Sequence, residues 1–257
     1  MLAPAIPSSI VQQPPVVRTT RLGKTLDERP IFANIDLSIA AGEYVVLLGV
    51  NGAGKTTLLK ILSTLSAPTS GKLELFGLDV SRQSGPARAR LGLIGHQSML
   101  YRDLTARENL ELFAKLYGVK SPKRRAEELL SIVGLLHRAD DAVKTFSRGM
   151  SQRVSIARAL VHEPDLVLAD EPFAGLDVPG ATAVEQLLAD LHAAGKTIVM
   201  VNHDVHQSLR LAERVIVLGG GSIVIDQKAR VADAPAILAT LCGTSQPRTE
   251  SRSLVDG

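Results

Sequence analysis

The sequence contains one cysteine, Cys242, among 257 residues. A lone thiol excludes an intramolecular disulfide framework and any multi-cysteine metal site. Near the end of a helical segment it reads as an inert side chain. Aromatic residues make up only 3% of the chain, and the formal net charge is a modest +3. The densest basic run is Lys123-Arg124-Arg125. A nucleic-acid surface needs a basic stripe, often with stacking aromatics. No nucleic-acid partner is therefore expected, and the basic run reads as a solvated helix face. No stretch of about 18 apolar residues occurs, so nothing is expected to span a membrane. Residues 1–17 lack the basic start and compact apolar block of a signal peptide, so the expected location is cytoplasmic.

What is present is ordinary soluble composition, 45% hydrophobic and 21% charged. That excludes disorder, collagen or a low-complexity array as the whole chain. A chain of this length buries roughly 70–75% of its unfolded surface and needs no staple. Residues 1–15 carry Pro4, Pro7, Pro14 and Pro15 and read as a flexible arm. Residues 244–257 are polar and read as a flexible tail. Residues 16–243 read as one domain.

Within that domain, residues 16–20, 31–39 and 72–76 read as strands, the latter two alternating apolar and polar side chains. Continuous apolar runs at 44–48, 166–169 and 197–201 read as buried strands. Helical patterns occupy 56–65, 151–161 and 182–194. Thr105 with Glu108 forms a capping box, and Ser121-Pro122 starts a further helix. Residues 214–218 and 222–226 read as a hairpin around Gly219-Gly220-Gly221. Buried strands alternating with helices indicate a mostly parallel α/β sheet. A helical block at about 98–162 interrupts the alternation and reads as an inserted subdomain.

The strongest motif is Gly49-Val50-Asn51-Gly52-Ala53-Gly54-Lys55-Thr56, which fits G-x-x-x-x-G-K-[ST] between a strand and a helix. Its glycines let the backbone wrap an anion with N–H groups pointing inward. The helix that starts there adds its positive end. Lys55 would reach the β- and γ-phosphates of a nucleotide, and the Thr56 hydroxyl would bind Mg²⁺. A second apolar strand ends in Asp170-Glu171. Asp170 is placed to hold Mg²⁺, and Glu171 to orient or deprotonate an attacking water. His203 follows a third apolar strand and could donate a hydrogen bond to a γ-phosphate. It also reads as a simple cap, or, with Asp204 and His206, as part of a metal site that lacks a third ligand.

Taken in order, these segments resemble the ATP-binding-cassette (ABC) ATPases over about residues 16–228. Gly49, Asn51, Gly52, Ala53, Gly54, Lys55, Thr56 and Thr57 look like that family's Walker A loop. Gln97, in Ile94-Gly95-His96-Gln97, looks like the Q-loop glutamine, a third candidate Mg²⁺ ligand beside Thr56 and Asp170. Phe146-Ser147-Arg148-Gly149-Met150-Ser151-Gln152-Arg153 looks like the signature segment, residues 166–171 like Walker B, Ala174-Gly175-Leu176-Asp177 like the D-loop, and His203 like the switch histidine. The resemblance implies a P-loop cassette with a RecA-like parallel core, an antiparallel β subdomain and an inserted helical subdomain. It implies ATP and Mg²⁺ as the bound species, with Glu171, His203 and Gln97 catalytic. It also implies a head-to-tail homodimer in which Ser147, Arg148 and Gly149 meet the partner's ATP.

Two departures stand out. Arg148 replaces a glycine of the usual Leu-Ser-Gly-Gly-Gln signature, so the backbone there is expected not to need positive φ. The aromatic that stacks on adenine has Leu22 at the matching position, which predicts weaker ATP affinity and base selectivity.

The resemblance also implies separate transmembrane permease subunits, with this chain peripheral on the cytoplasmic face of the cell membrane. Residues 98–104 and the following helices are the expected docking surface. His96-Gln97, the run from Leu100 to Leu110, Leu116-Tyr117-Gly118-Val119 and the Phe-Ser-Arg-Gly-Met signature resemble the ATPase subunit of the haem exporter of cytochrome c maturation. Exporters of drugs, lipids or polysaccharides share much of this pattern. A soluble ABC ATPase, such as an iron–sulfur-assembly factor, is the non-transport alternative.

Overall fold

The computed structural model describes residues 14–95, 98–229 and 234–244. The strands are β1 (Val17–Leu26), β2 (Arg29–Ile39), β3 (Tyr44–Gly49), β4 (Ser70–Leu75), β5 (Leu78–Asp79), β6 (Leu91–Ile94), β7 (Leu166–Asp170), β8 (Thr197–Val201), β9 (Arg214–Gly219) and β10 (Ser222–Lys228). The helices are α1 (Lys55–Leu62), α2 (Val80–Arg88), α3 (Ala106–Leu116), α4 (Pro122–Ile132), α5 (Arg148–Ala159), α6 (Val178–Ala193), α7 (Val205–Leu211) and α8 (Ala234–Thr244).

Six strands form the central sheet in the order β10-β9-β3-β8-β7-β6. All neighbours pair in parallel except the β9–β10 hairpin. Its central strands are apolar between their ends because both faces are covered. Side-chain alternation sorts β3 between two cores. Tyr44, Val46 and Leu48 join the core that α3–α6 cover, whereas Val45 and Leu47 join the core under α1 and the second sheet. That second sheet is antiparallel, in the order β2-β1-β4-β5. The architecture is the expected α/β cassette, with a parallel core beside an antiparallel sheet. Helices α3, α4 and α5 all lie between β6 and β7. Among the described residues no helix is long and apolar enough to cross a membrane.

Local chemistry sets the helix starts. Thr105 and Glu108 make the expected reciprocal capping box on α3. Helix α4 opens with Pro122 at its first turn. Helix α5 begins at Arg148 rather than at 151, because the Ser147 hydroxyl accepts the Met150 N–H at 3.2 Å. Helix α6 likewise begins at Val178, ahead of the expected 182, because Asp177 accepts the Gly180 N–H at 3.1 Å.

Three further sequence expectations need correction. Leu22 is wholly buried, facing Ile35 across the β1–β2 pair, and cannot offer a face to adenine. The reason is a bulge: Arg21 sits at φ 46 and the register shifts on both sides of Leu22, which re-aims the side chain inward. Burying a leucine fully is worth roughly 1.5–3 kcal/mol, so core packing outweighs exposure for a ligand. The exposed apolar side chain of β1 is Leu26. The basic run also divides. Arg124 is solvated and pairs with Glu128, but Arg125 turns inward and donates to the Leu160 and Val161 carbonyls beyond the end of α5. Helix α1 stops at Leu62 rather than 65, since Thr64 turns to φ 62.

Candidate functional site

The glycine-rich loop leaves β3 through Gly49, and Gly54 caps α1 at φ 92. Asn51 is exposed at the loop tip, and Gly52 adopts φ 80. The Ala53 N–H donates to the Val50 carbonyl at 3.1 Å, which tightens the turn. Gly54 has no room for a side chain. A Cβ there would lie 2.9 Å from Ile31 Cγ2 and 3.0 Å from Phe32 Cδ1, so β2 presses directly on the loop. Successive N–H groups in such a turn, backed by a helix N-terminus, form an anion-binding concavity.

Lys55 is buried, and its Nζ donates to the Gly49 and Val50 carbonyls at 2.7 and 3.0 Å. Burial pushes its ammonium below the usual lysine range, while Glu171 and then Asp170 act to hold it up. A partly desolvated cation aimed along a glycine loop suits an anion better than a solvated one. Thr56 follows on α1, and its Oγ1 donates to Asp170 Oδ1 at 3.3 Å. Thr57 is half-buried one residue on.

Asp170 is buried at the end of β7, and Glu171 comes just after it at φ 51. That left-handed conformation lifts Glu171 out of the strand direction. It is held there because the Glu171 N–H donates to the Val201 carbonyl at 3.0 Å, and the Ala174 N–H donates back to the Glu171 carbonyl at 3.0 Å. His203, beyond β8, brings Nε2 to 2.6 Å from Glu171 Oε1. A carboxylate only accepts, so Nε2 carries the proton in this contact.

Thr56, Asp170 and Glu171 line one cleft of about 450 Å³, with Lys60, Leu65 and Met99 among its walls. The paired Thr56 hydroxyl and Asp170 carboxylate are hard oxygen donors at one point, which fits a small divalent cation such as Mg²⁺. Gln97, the remaining expected ligand, lies outside the described residues. Among the described residues no group of three or more His, Cys, Asp or Glu side chains is gathered as a metal cage. Asp204, next to His203, caps α7 instead by accepting the Gln207 N–H at 2.9 Å.

Arg148, with Phe146 and Ser151, lines a second recess, of about 270 Å³, which Glu171 also lines. Arg148 starts α5 with ordinary helical backbone, as the loss of glycine there predicts. Its aliphatic stem covers Gly175, where a Cβ would stand 3.2 Å from Arg148 Cδ. A Cβ on Gly149 would meet the Gly175 carbonyl at 3.1 Å. The turn before Asp177 is thus packed on the start of α5 within one chain.

Sequence reasoning missed two buried amides that shape this site. Asn109 is fully buried on α3 and ties the loop at 101–105 together. It accepts from the Tyr101 N–H at 2.8 Å and donates to the Tyr101 and Thr105 carbonyls at 2.9 Å. Asn202 is buried just ahead of His203. A polar residue at an apolar-phase position was the available signal in both cases.

Comparison with known proteins fits this geometry. The family model described as ABC transporter matches residues 32–174. The chain is 37% identical over 194 residues to the ABC transporter ATP-binding protein NatA of Bacillus subtilis (strain 168), covering 74% of this chain and 79% of that one. It is 35% identical over 208 residues to the daunorubicin resistance ATP-binding protein DrrA3 of Streptomyces coeruleorubidus, covering 80% and 66%. It is 34% identical over 215 residues to the Nod factor export ATP-binding protein I of Cupriavidus metallidurans, covering 83% and 71%. Among solved structures, the chain resembles a dimeric ATP-binding cassette in a post-hydrolysis state with ADP and Pi. The TM-score is 0.77 at 31% identity, over 84% of this chain and all of that one.

Proposed function

Because the chain belongs to the ABC transporter ATP-binding family, we propose that it is the ATP-hydrolysing motor of an exporter. The observation that carries this reading is the convergence of Lys55, Thr56, Asp170, Glu171 and His203 at the ends of three neighbouring strands. The loop from Gly49 to Thr57 takes the phosphates, with Lys55 neutralising their charge. Thr56 and Asp170 are the oxygen donors for Mg²⁺, which, when bound, draws charge from the phosphates. Glu171 orients a water and takes its proton as the oxygen attacks the γ-phosphorus, while the bond to the ADP oxygen breaks. His203 gives its Nε2–H to the anion in place of Glu171. Ser147, Arg148 and Gly149 act on the ATP of a second copy, arranged head to tail, and Asp177 sits at that dimer seam. A dimer of this kind closes on ATP and opens when the γ-phosphate is gone. Transmembrane permease subunits on separate chains, docked near 98–104, complete the machine at the cytoplasmic face of the membrane.

Glu171→Gln tests the assignment. ATP binding is expected to persist while turnover falls by about a hundredfold or more. Turnover at the wild-type rate removes Glu171 from the role.

For the cargo, two readings have support. Names of similar proteins speak of daunorubicin resistance, linearmycin resistance and Nod factor export, which supports a drug, an antibiotic or a Nod factor as the cargo. The run from Leu100 to Leu110 and the Phe146-Ser147-Arg148-Gly149-Met150 signature support haem export for cytochrome c maturation. Deletion of the gene followed by haem staining separates them. Loss of holocytochrome c supports haem export, and unchanged holocytochrome with increased drug sensitivity rejects it.

A further inference from the structure

The loop that carries His203 is held by a chain of side-chain amides with a fixed sense. Asn202 Oδ1 accepts the His203 N–H at 2.8 Å and the Asp204 N–H at 3.4 Å. Asn202 Nδ2 donates to Gln207 Oε1 at 3.0 Å. Gln207 Nε2 in turn donates to Glu185 Oε1, on the middle of α6. A carboxylate only accepts, so Gln207 must turn its NH₂ toward Glu185. That leaves Gln207 Oε1 facing Asn202, which must answer with its own NH₂. Only then does Asn202 Oδ1 point at the two backbone N–H groups. Were Asn202 reversed, its NH₂ would confront two donors, and buried donors without acceptors are costly.

We propose that Glu185, acting through Gln207 and Asn202, is a positioning residue that sets the pose of His203 against Glu171. Asp177 caps the N-terminus of the same helix α6, so a shift of that N-terminus is passed to His203 along a rigid helix and three hydrogen bonds. The proposal rests on the reading of His203 and Glu171 as the hydrolytic pair. Arg210 stands 3.9 Å from Glu185, and burial followed by Glu185 pushes the nearby Tyr44 hydroxyl up. Neither has a place in the directional chain.

The sense of the chain makes a swap test possible. In Glu185→Gln the fixed acceptor is lost and both amides can reverse. In Gln207→Glu two carboxylates face each other. In the double variant Glu185→Gln/Gln207→Glu, the new amide donates to the new carboxylate, whose other oxygen accepts from Asn202 Nδ2, and the original sense returns. We expect kcat to fall on the order of tenfold in each single variant with the KM for ATP little changed, and to recover in the double variant. Arg210→Gln, which leaves the chain intact, is expected to keep the wild-type kcat.

Amide hydrogen exchange at His203 and Asp204, measured without nucleotide, supplies a readout independent of catalysis. It is expected to quicken in both single variants and slow again in the swap. Single variants with wild-type kcat, a double variant no better than its worse parent, or an equal fall in Arg210→Gln overturns the proposal. Exchange that ignores the swap overturns it too. A wild-type protein that does not hydrolyse ATP defeats the functional reading instead, and the exchange result still decides whether Glu185 sets the loop.

Discussion

His203 Nε2 and Glu171 Oε1 meet at 2.6 Å across the ends of two adjacent parallel strands. Both side chains are partly exposed there, Glu171 at 34% and His203 at 48%. The contact is therefore open to a competing anion. While Glu171 accepts this hydrogen bond, one of its oxygens is occupied; on the proposed mechanism an arriving γ-phosphate that accepts the Nε2–H instead would free that oxygen for water. His203→Ala is expected to lower kcat by about a hundredfold, within the usual range for a lost acid–base partner, while ATP affinity changes far less. Steady-state kinetics beside equilibrium binding of ATP checks this. A loss confined to affinity assigns His203 to binding alone.

Asn109 offers a test at the candidate docking loop. Its amide binds Tyr101 on both main-chain groups and caps the Thr105 carbonyl from inside the fold. Asn109→Leu is close in volume but takes the acceptor from the Tyr101 N–H, at about 1–3 kcal/mol, while the Tyr101 and Thr105 carbonyls keep the Leu104 and residue-109 N–H groups. We expect a lowered melting temperature and faster amide exchange at 101–105. Thr105→Ala, which removes only the hydroxyl cap from the Glu108 N–H, is expected to cost about 1 kcal/mol. The ordering of the two variants is the prediction.

The contrast between legible and illegible parts of this chain has a physical origin. The buried strands announced themselves because β3, β7 and β8 are covered on both faces and carry no polar interruption. The glycine loop and the Asp170-Glu171 strand end were legible because their chemistry fixes residue types at fixed offsets. Leu22 was misread because the bulge at Arg21 shifts its phase, and the only mark of that bulge in Arg21-Leu22-Gly23 is the isolated glycine. Helix α2 escaped notice because it is polar, contains Pro86, and leaves helical geometry at Gln83. Glu185, Gln207 and Asn202 come together from α6, α7 and the end of β8. Only tertiary structure reveals such a chain.

His162 predicts a pH dependence. Its ring stacks on Tyr117 with centroids 3.8 Å apart and holds the Leu91 carbonyl at 3.1 Å. Burial pushes its pKa down, the Leu91 hydrogen bond opposes this, and Arg158 and Arg125 add to the depression. The unfolded chain therefore binds this proton more readily than the folded one. Stability contributed by neutral His162 is complete above the unfolded value of about 6.5 and declines as the pH falls toward the lower folded value. For one proton the limiting slope is about 1.4 kcal/mol per pH unit. His162→Gln is expected to flatten the acid limb of a melting-temperature profile below about pH 6.5. A parallel limb in wild type and variant counts against the assignment.

Two glycines of the phosphate loop separate backbone strain from packing. Gly52 has φ 80 with nothing within 4 Å of a hypothetical Cβ, whereas Gly54 has φ 92 with Ile31 and Phe32 in the way. An L-residue in left-handed geometry costs roughly 1–2 kcal/mol, so Gly52→Ala should lose about that much stability and keep the loop in place. Gly54→Ala carries the same backbone cost and also a clash with β2, which relief can reach only by moving the loop or the strand. Overpacking of this kind adds about 1–3 kcal/mol. We expect Gly54→Ala to melt lower than Gly52→Ala and to lose ATP binding more severely, because the displaced segment is the one that places Lys55 and Thr56. Ile31→Ala in the Gly54→Ala background removes one clashing methyl and should restore part of the binding. A double variant as weak as its parent places the defect in the backbone instead.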